Sequence, residues 1–465
     1  MAAVGAYVPA HWPQPLELRA SLTVSKDLTV GAATQTCPHL IGHGSATLSE
    51  AEGQPALSFD ATFSSMGVEA PGPSYFVVVL AAESAARFRE DEPPMIVQDF
   101  PTSVGTVTLT FRTRFADEGH EAKVPREMWI DVRGEATCTL EEAVNAYSNA
   151  GLAFLPVIAL TTNASIEDAQ PKLAFDNTRG RTPREYVQSF VPERGGVLLP
   201  GRRVDVEATL TTILTLGAHP ETNRLHRAAE QYRLALSHWT RGRESLALMH
   251  LYMGIETLMK SALRRECTSA GDSESELADA WGIQVEGEPA PVWRRNLDAE
   301  VRRRVLFKGD GKTLAKARKA SDGLEHGFLD FVSTRTLAEE ARDQTAVYLR
   351  EAIFDLAAID ADTRCRMLTH PYDKPLKSWL ARYLRGRFHG ETDDLAAPGQ
   401  EYPIFKWKSG IKSLSRSATG GYKLEPSEAL TAQFSEDVKF EQVSFEVWGP
   451  EAGMRVGVDD DSEEP

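Results

Sequence analysis

Cysteine is scarce in this chain. Cys37, Cys138, Cys267 and Cys365 are its four cysteines, about a hundred residues apart and without a CxxC pair. That spacing excludes a disulfide-framed scaffold and offers no zinc knuckle, so reduced, buried thiols are expected. Long apolar runs are missing too. YFVVVLAA at 75–82 and LAFLPVIAL at 152–160 are the longest; both are too short to cross a bilayer and suit buried strands. The start, MAAVGAYVPAHWPQP, lacks the basic residues and apolar stretch of a secretory signal, so a cytoplasmic protein with no membrane partner is expected. Positive charge is in deficit, 51 Lys and Arg against 67 Asp and Glu, for a net −16. That total argues against indiscriminate nucleic-acid binding. No GxSxG elbow or HExxH helix is present, so serine-hydrolase and metalloprotease chemistry have no support.

With 42% hydrophobic and 25% charged residues, the composition is that of a globular protein. A length of 465 residues predicts two or three domains. From about 15 to 216 apolar and polar residues alternate, as in LELRASLTV, ALSFDATF, TVTLTFRTRF and VDVEATLTTIL. Period two predicts a half-buried antiparallel sheet, here read as a sandwich. One helix interrupts it at 139–151, where Thr139 and Glu142 stand at capping-box spacing and Gly151 closes. After His219-Pro220 the period becomes helical for roughly 170 residues. Helices are expected over RLHRAAEQYRLALSHW and SLALMHLYMGIETLMKSALRREC, then at 275–281, 294–305 and 312–325. A long helix is expected to start with Thr336 and Glu339 as its capping box, and a short one over PLKSWLARYLRG. Period two returns in PIFKWKSG and VKFEQVSFEVW.

The expected fold is therefore α+β: a β-sandwich-like N-terminal domain over 1–218, an all-α helical bundle over 219–390 and a short β-rich C-terminal extension over 391–457. An acidic disordered tail, 458–465, should follow.

Several candidate sites compete. GDGKT at 309–313 ends like a nucleotide-triphosphate loop, but the preceding glycine is replaced by Leu306, which leaves a turn entering a helix. Cys37, His39 and His43 fit no closed zinc geometry, and no metal or cofactor is expected. His250 lies in the apolar second helix, as does Glu256, and reads as a buried histidine satisfied by a neighbouring carboxylate or carbonyl. More distinctive is the charge between Arg294 and Lys319, ten basic residues against three acidic. Arg302, Arg303, Arg304, Lys308, Lys312 and Lys316 from this stretch are candidate RNA-backbone contacts. Just beyond, Arg318, Asp322 and His326 stand at i, i+4 and i+8, one stripe of a helix, flanked by Lys319 and Glu325. Such groups suit metal-free RNA cleavage: an imidazole for proton transfer, a guanidinium for the phosphate charge and a carboxylate to orient the imidazole. An exposed stripe ending a helix on His326 is the plainer alternative.

The segments HRAAEQYRLALSHWTRG, LALMHLYMGIETLMKSALRRE and ARKASDGLEHGF together resemble a HEPN domain. The resemblance is to the ApeA-like group and the MauJ-like proteins encoded beside methylamine-utilisation genes. It covers residues 220 to about 365 and implies a nucleotide-binding helical bundle preceded by a β-rich region. It further implies a homodimer, with RNA or nucleotide as partner, and metal-independent endoribonuclease activity in anti-phage defence, abortive infection or stress response. The family motif is Arg, four to six residues, then His, often followed by Gly. His326-Gly327 matches its second half; seven residues separate Arg318 from His326, and six separate Lys319. Lysine offers a point charge where arginine offers a planar fork. The resemblance thus casts His326 as general acid/base, Arg318 with Lys319 as phosphate holders and Asp322 as orienter. The alternative is a non-catalytic ligand-sensing or assembly protein that uses the bundle for dimerisation.

Overall fold

The computed structural model describes residues 17–30, 33–51, 54–62, 72–181, 184–189, 201–327, 329–377, 381–389, 395–400, 402–416 and 422–448. The acidic tail lies outside them. The chain divides into two compact units, Met1–Gly72 and Pro73–Pro465. In the first, β1 (Glu17–Val30), β2 (Ala33–Ala51) and β3 (Gln54–Thr62) form an antiparallel meander.

The second unit is α+β. Its N-terminal part contains β4 (Ser74–Ala82), β5 (Ala86–Arg87), β6 (Met95–Thr102), β7 (Gly105–Ala116), β8 (Val124–Ala136), α1 (Leu140–Leu152), α2 (Leu155–Thr162), β9 (Gln170–Asp176), β10 (Tyr186–Gln188) and β11 (Arg202–Arg203). Six strands make one antiparallel sheet in the order β10-β9-β4-β8-β7-β6. On one face Phe76, Val78, Leu80, Leu109, Phe111, Ile130 and Val132 are buried, as alternation along a strand requires. Where a sandwich would lay a second sheet on that face, helices α1 and α2 join the same core. The cap of α1 is as the sequence predicts: Thr139 accepts from the Glu142 amide and the Glu142 side chain reaches back.

Two runs expected to be strands are helices. All eight residues of LPVIALTT in α2 are buried, so no polar face marks the helical period; length alone had to decide. VEATLTTILTLGA forms α3 (Val206–Ala218), with Asp205 as its cap. Threonine alternation suggested a strand, but Thr212 and Thr215 donate back to the carbonyls of Ala208 and Thr211, each one turn earlier. The apolar segment Leu140–Thr162 is long enough to span a bilayer by count. It is two helices broken at Ala153-Phe154, mostly enclosed by the protein itself.

Helices α4 (Thr222–Ser237), α5 (Glu244–Ala270), α6 (Glu274–Ala280), α7 (Ala290–Val301), α8 (Gly311–His326), α9 (Phe331–Leu356) and α10 (Ala361–Leu368) follow. The change of period read at 219 falls between two helices, α3 and α4, within a continuous core, for Leu225, Tyr232, Leu251, Ile255, Leu349 and Phe354 belong to the same buried cluster as the sheet. The last long helix starts five residues before the expected box: Asp330 caps it, and Thr336 donates instead to the Val332 carbonyl.

Two buried arginines join helices to sheet layer. Arg350 of α9 donates to the carbonyls of Leu160, Thr161, Met367 and Tyr372 at 2.7–3.0 Å. Arg202 adds bonds to Thr162, Asn163 and Lys374. The orphan carbonyls ending α2 are thus held by cations, as the helix dipole favours. Arg233 of α4 binds the Ile166 carbonyl, Asp168 and Glu230.

The C-terminal strands β12 (Ala381–His389), β13 (Ile404–Arg416), β14 (Tyr422–Gln433) and β15 (Lys439–Trp448) make two ladders, β12 with β15 and β13 with β14. The helix expected across PLKSWLARYLRG is strand from Ala381 onward. Gly386 explains why: a Cβ there would lie 2.4 Å from the Glu441 carbonyl, so the strands approach through the glycine.

Candidate nucleic-acid interface

The α8 stripe begins at the GDGKT turn. A π-helical turn, Arg302–Leu306, follows α7, and Lys308 and Gly309 take positive φ to reverse the chain. Asp310 then caps α8: its Oδ1 accepts from the Thr313 amide, and its Oδ2 accepts from the hydroxyls of Thr313 and Tyr348. This carboxylate belongs to helix architecture. The helix runs unbroken to His326 and ends on Gly327 in the left-handed conformation. Gly323, a cost inside a helix, is a packing requirement here: a Cβ would meet Leu329 at 2.9 Å and Thr334 at 3.1 Å, where α9 returns.

Arg318, Asp322 and His326 consequently share one exposed stripe. Arg318 Nε lies 3.6 Å from Asp322 Oδ2, with the two side chains 66% and 46% exposed. His326 is 55% exposed, and the carboxylate beside its Nε2 is Glu325, at 4.0 Å. The orienting role expected of Asp322 therefore meets a competitor: Asp322 faces the guanidinium. Lys319 is exposed and, among the described residues, in no ion pair.

The basic stretch before it is treated differently. Arg302 bonds Glu256 of α5; burial works against its charge, and Glu256 together with Tyr252 and Asp298 more than offsets it, raising its pKa. Arg303 and Arg304 both grip Glu300, at 2.7 and 2.6 Å. The Arg303 bond first, then Arg304, holds that carboxyl down at about 2. Lys308 meets Glu351, with Asp355 at 4.0 Å. Lys316 meets Glu340, and Arg294 meets Glu274 at 3.3 Å. Lys312 is exposed, with Glu340 in its neighbourhood. So of the six expected backbone contacts, five are already paired with carboxylates.

Sequence reasoning missed those partners. Glu256, Glu340 and Glu351 are 46, 24 and 43 residues from the cations they meet, beyond the reach of any local spacing rule. Tyr252 of α5 packs beside these partners. It is buried, its hydroxyl pushed up to about 12 chiefly by burial, and Glu256, Arg302, Arg318 and Asp322 all act on it electrostatically. A charged seam between α5 and α8 thus adjoins the stripe. His250 is satisfied, its Nδ1 2.9 Å from Gln231 Oε1, and its ring stacks on His238 with centroids 5.5 Å apart.

Elsewhere, a polar recess of about 650 Å³ lies between the β6–β7 turn and α1, lined by Ser103, Thr137, Cys138, Glu142, Asn145 and Asn149. Glu142 is engaged in the α1 cap, and burial pushes the Cys138 thiol up, away from a reactive thiolate. Among the described residues no group of three or more His, Cys, Asp or Glu is arranged to hold a metal ion. Comparisons with protein-family models, curated proteins and solved structures return no match to this chain.

Proposed function

We propose that the helical part is an HEPN-like bundle that binds RNA along the α8 stripe, in a cytoplasmic defence or stress setting, with metal-independent cleavage as the strong form of this reading. The observation that carries it is the run of Arg318, Asp322 and His326 along one solvent-facing side of α8, with Lys319 beside it. In cleavage, the His326 imidazole takes the ribose 2′-hydroxyl proton. The freed oxygen attacks the adjacent phosphorus, and the 5′-oxygen departs with a proton, leaving a 2′,3′-cyclic phosphate and a 5′-hydroxyl. Arg318 and Lys319 offset the charge that accumulates on phosphorus oxygens. One stripe supplies one imidazole, so a pair of chains facing each other would supply a base and an acid together.

The test is RNA cleavage in EDTA by wild type and His326→Ala. Activity that survives chelation and is lost in the variant supports the strong form. Activity equal in both proteins removes His326 from the chemistry.

A second reading, a non-catalytic sensor or assembly protein in which the bundle only dimerises, is favoured by a different observation. Phe331 and Val332, which open α9 just after the stripe, are 66% and 71% exposed, more apolar surface than a solitary helix start needs. Sedimentation of wild type against Phe331→Ser/Val332→Ser separates the readings, since a dimer lost together with RNA binding ties assembly to the site.

A further inference from the structure

The cations of β12 and β13 differ from those of the helical stretch. Across these two strands Arg382, Arg385, Arg387, Lys406, Lys408, Lys412 and Arg416 occur with no Asp or Glu, in a chain of net charge −16. Some are spoken for. Lys412 meets Glu425 at 2.5 Å, and Arg416 meets Glu90 at 2.7 Å. Arg385, Arg387, Lys406 and Lys408 are all exposed and, among the described residues, none is in an ion pair. The nearest acid by register is Glu441, directly opposite Arg387, and it is taken by His389 at 2.8 Å. Glu436 and Asp437 lie apart, in the turn between β14 and β15.

The fold gives these four charges a rigid base. Phe388, Phe405, Phe434 and Phe440 pack edge to face between the two ladders, with ring centroids 4.7–5.3 Å apart for the four pairs linking Phe388 and Phe405 to the other two. Phe388, itself 37% exposed, and Phe405 turn toward these rings, so Arg387 and Lys406, their neighbours on each strand, turn to the opposite side. Arg385 with Arg387, and Lys406 with Lys408, are therefore i, i+2 pairs on one side of a strand, about 7 Å apart. That spacing is of the order of the separation of successive phosphates along an extended single strand. Counter-ions gathered by such rows are released when phosphates replace them.

We infer that the β12–β15 and β13–β14 module is a second, independent RNA-backbone site, in which Arg385 with Arg387 on one ladder and Lys406 with Lys408 on the other, outward on the two sides of the phenylalanine layer, each contact two successive phosphates of a strand passing around it. It extends beyond the α8 reading and does not depend on His326. The competing explanation is that charged edge strands merely deter edge-to-edge pairing.

The test uses the full chain and a fluorescent 20-mer of oligouridine, with anisotropy read across a salt series. In Arg385→Thr/Arg387→Thr/Lys406→Thr/Lys408→Thr, where threonine preserves strand propensity, affinity should fall at least about tenfold. The slope of log affinity against log salt should become shallower by about 3, at about 0.7 per single-strand phosphate. The charge-keeping set, Arg385→Lys/Arg387→Lys/Lys406→Arg/Lys408→Arg, should bind as wild type, which separates lost charge from lost folding. Unchanged affinity and slope in the threonine variant overturn the inference, and so does unchanged affinity accompanied by new aggregation, which would leave edge protection as the role. Loss of binding to phosphatidylserine vesicles with oligouridine binding intact also overturns it, assigning the surface to lipid. Arg318→Ser/Lys319→Ser, assayed in parallel, reports on α8 alone: a loss there with none in the strand variant overturns this inference and leaves the α8 reading standing.

Discussion

Arg350 and the residues 294–319 represent two ways of housing positive charge, and they obey opposite rules. Arg350 is fully buried, with carbonyl oxygens as its hydrogen-bond partners, and burial brings its guanidinium down to about 10. The helical stretch stays at the surface, and most of its arginines and lysines meet carboxylates, among them Glu256 of α5, Glu300 of α7 and Glu340 and Glu351 of α9. Enclosed charge serves as structure because its partners cannot be replaced by water. Surface charge so matched adds little stability and presents little field. Linear charge density is therefore a poor guide to surface potential, and β12 and β13, with no more basic residues than the helical stretch, leave more of them unmatched.

The comparison can be broken first at its interior end. Arg350→Met should cost at least about 3 kcal/mol, since it strands several buried carbonyls at once; the midpoint of urea unfolding measures it, and a loss no larger than that of a surface substitution would sink the structural role. The surface half is sharpened by unmasking: Glu256→Gln/Glu340→Gln/Glu351→Gln frees Arg302, Lys308 and Lys316 and should raise oligouridine affinity about tenfold at low salt. If anisotropy reports no gain, something other than pairing silences that stretch.

A smaller effect is expected from pH. His238 and His250 are both held below the ordinary histidine range, His238 by burial and then by Arg243, His250 by burial and then by His238; Glu167 and Glu230 pull the other way, and Lys377 reinforces the depression at His238. The unfolded chain therefore binds protons more readily. Stability from the pair is complete above the unfolded histidine pKa of about 6.5 and is lost as pH falls from there through the lower folded values. Thermal melts from pH 7.5 to 5 should show this acid-side decline, and His238→Phe/His250→Phe should flatten it. Smallest of all, Arg303→Ser should leave the urea midpoint indistinguishable from wild type, because Arg304 retains Glu300 at the surface.

Much of the fold was legible because its signals are local. The Thr139–Glu142 cap announced α1, the Ser273–Glu276 cap lies where a short helix was expected, and three-four spacing announced α4, α5 and α8. What failed was period without contrast. LPVIALTT is buried on every side, and the threonines of α3 satisfy their hydroxyls on the helix itself. At the candidate site, the stripe of Arg318, Asp322 and His326 was readable from i, i+4 spacing. The neutralisation of its neighbours was not, because Glu256, Glu340 and Glu351 approach only once the helices have packed.

The carbonyls that finish α2 draw on Arg202 and on Arg350, 190 residues downstream of Leu160, and Arg350 is itself held by the carbonyls of Met367 and Tyr372. During synthesis that helix leaves the ribosome long before its partners do, with water at its C-terminal end in the meantime. The sheet and its two helices are thus a provisional assembly until translation has passed Tyr372, and a nascent chain arrested near residue 218 should be cut readily by protease where the finished protein is not.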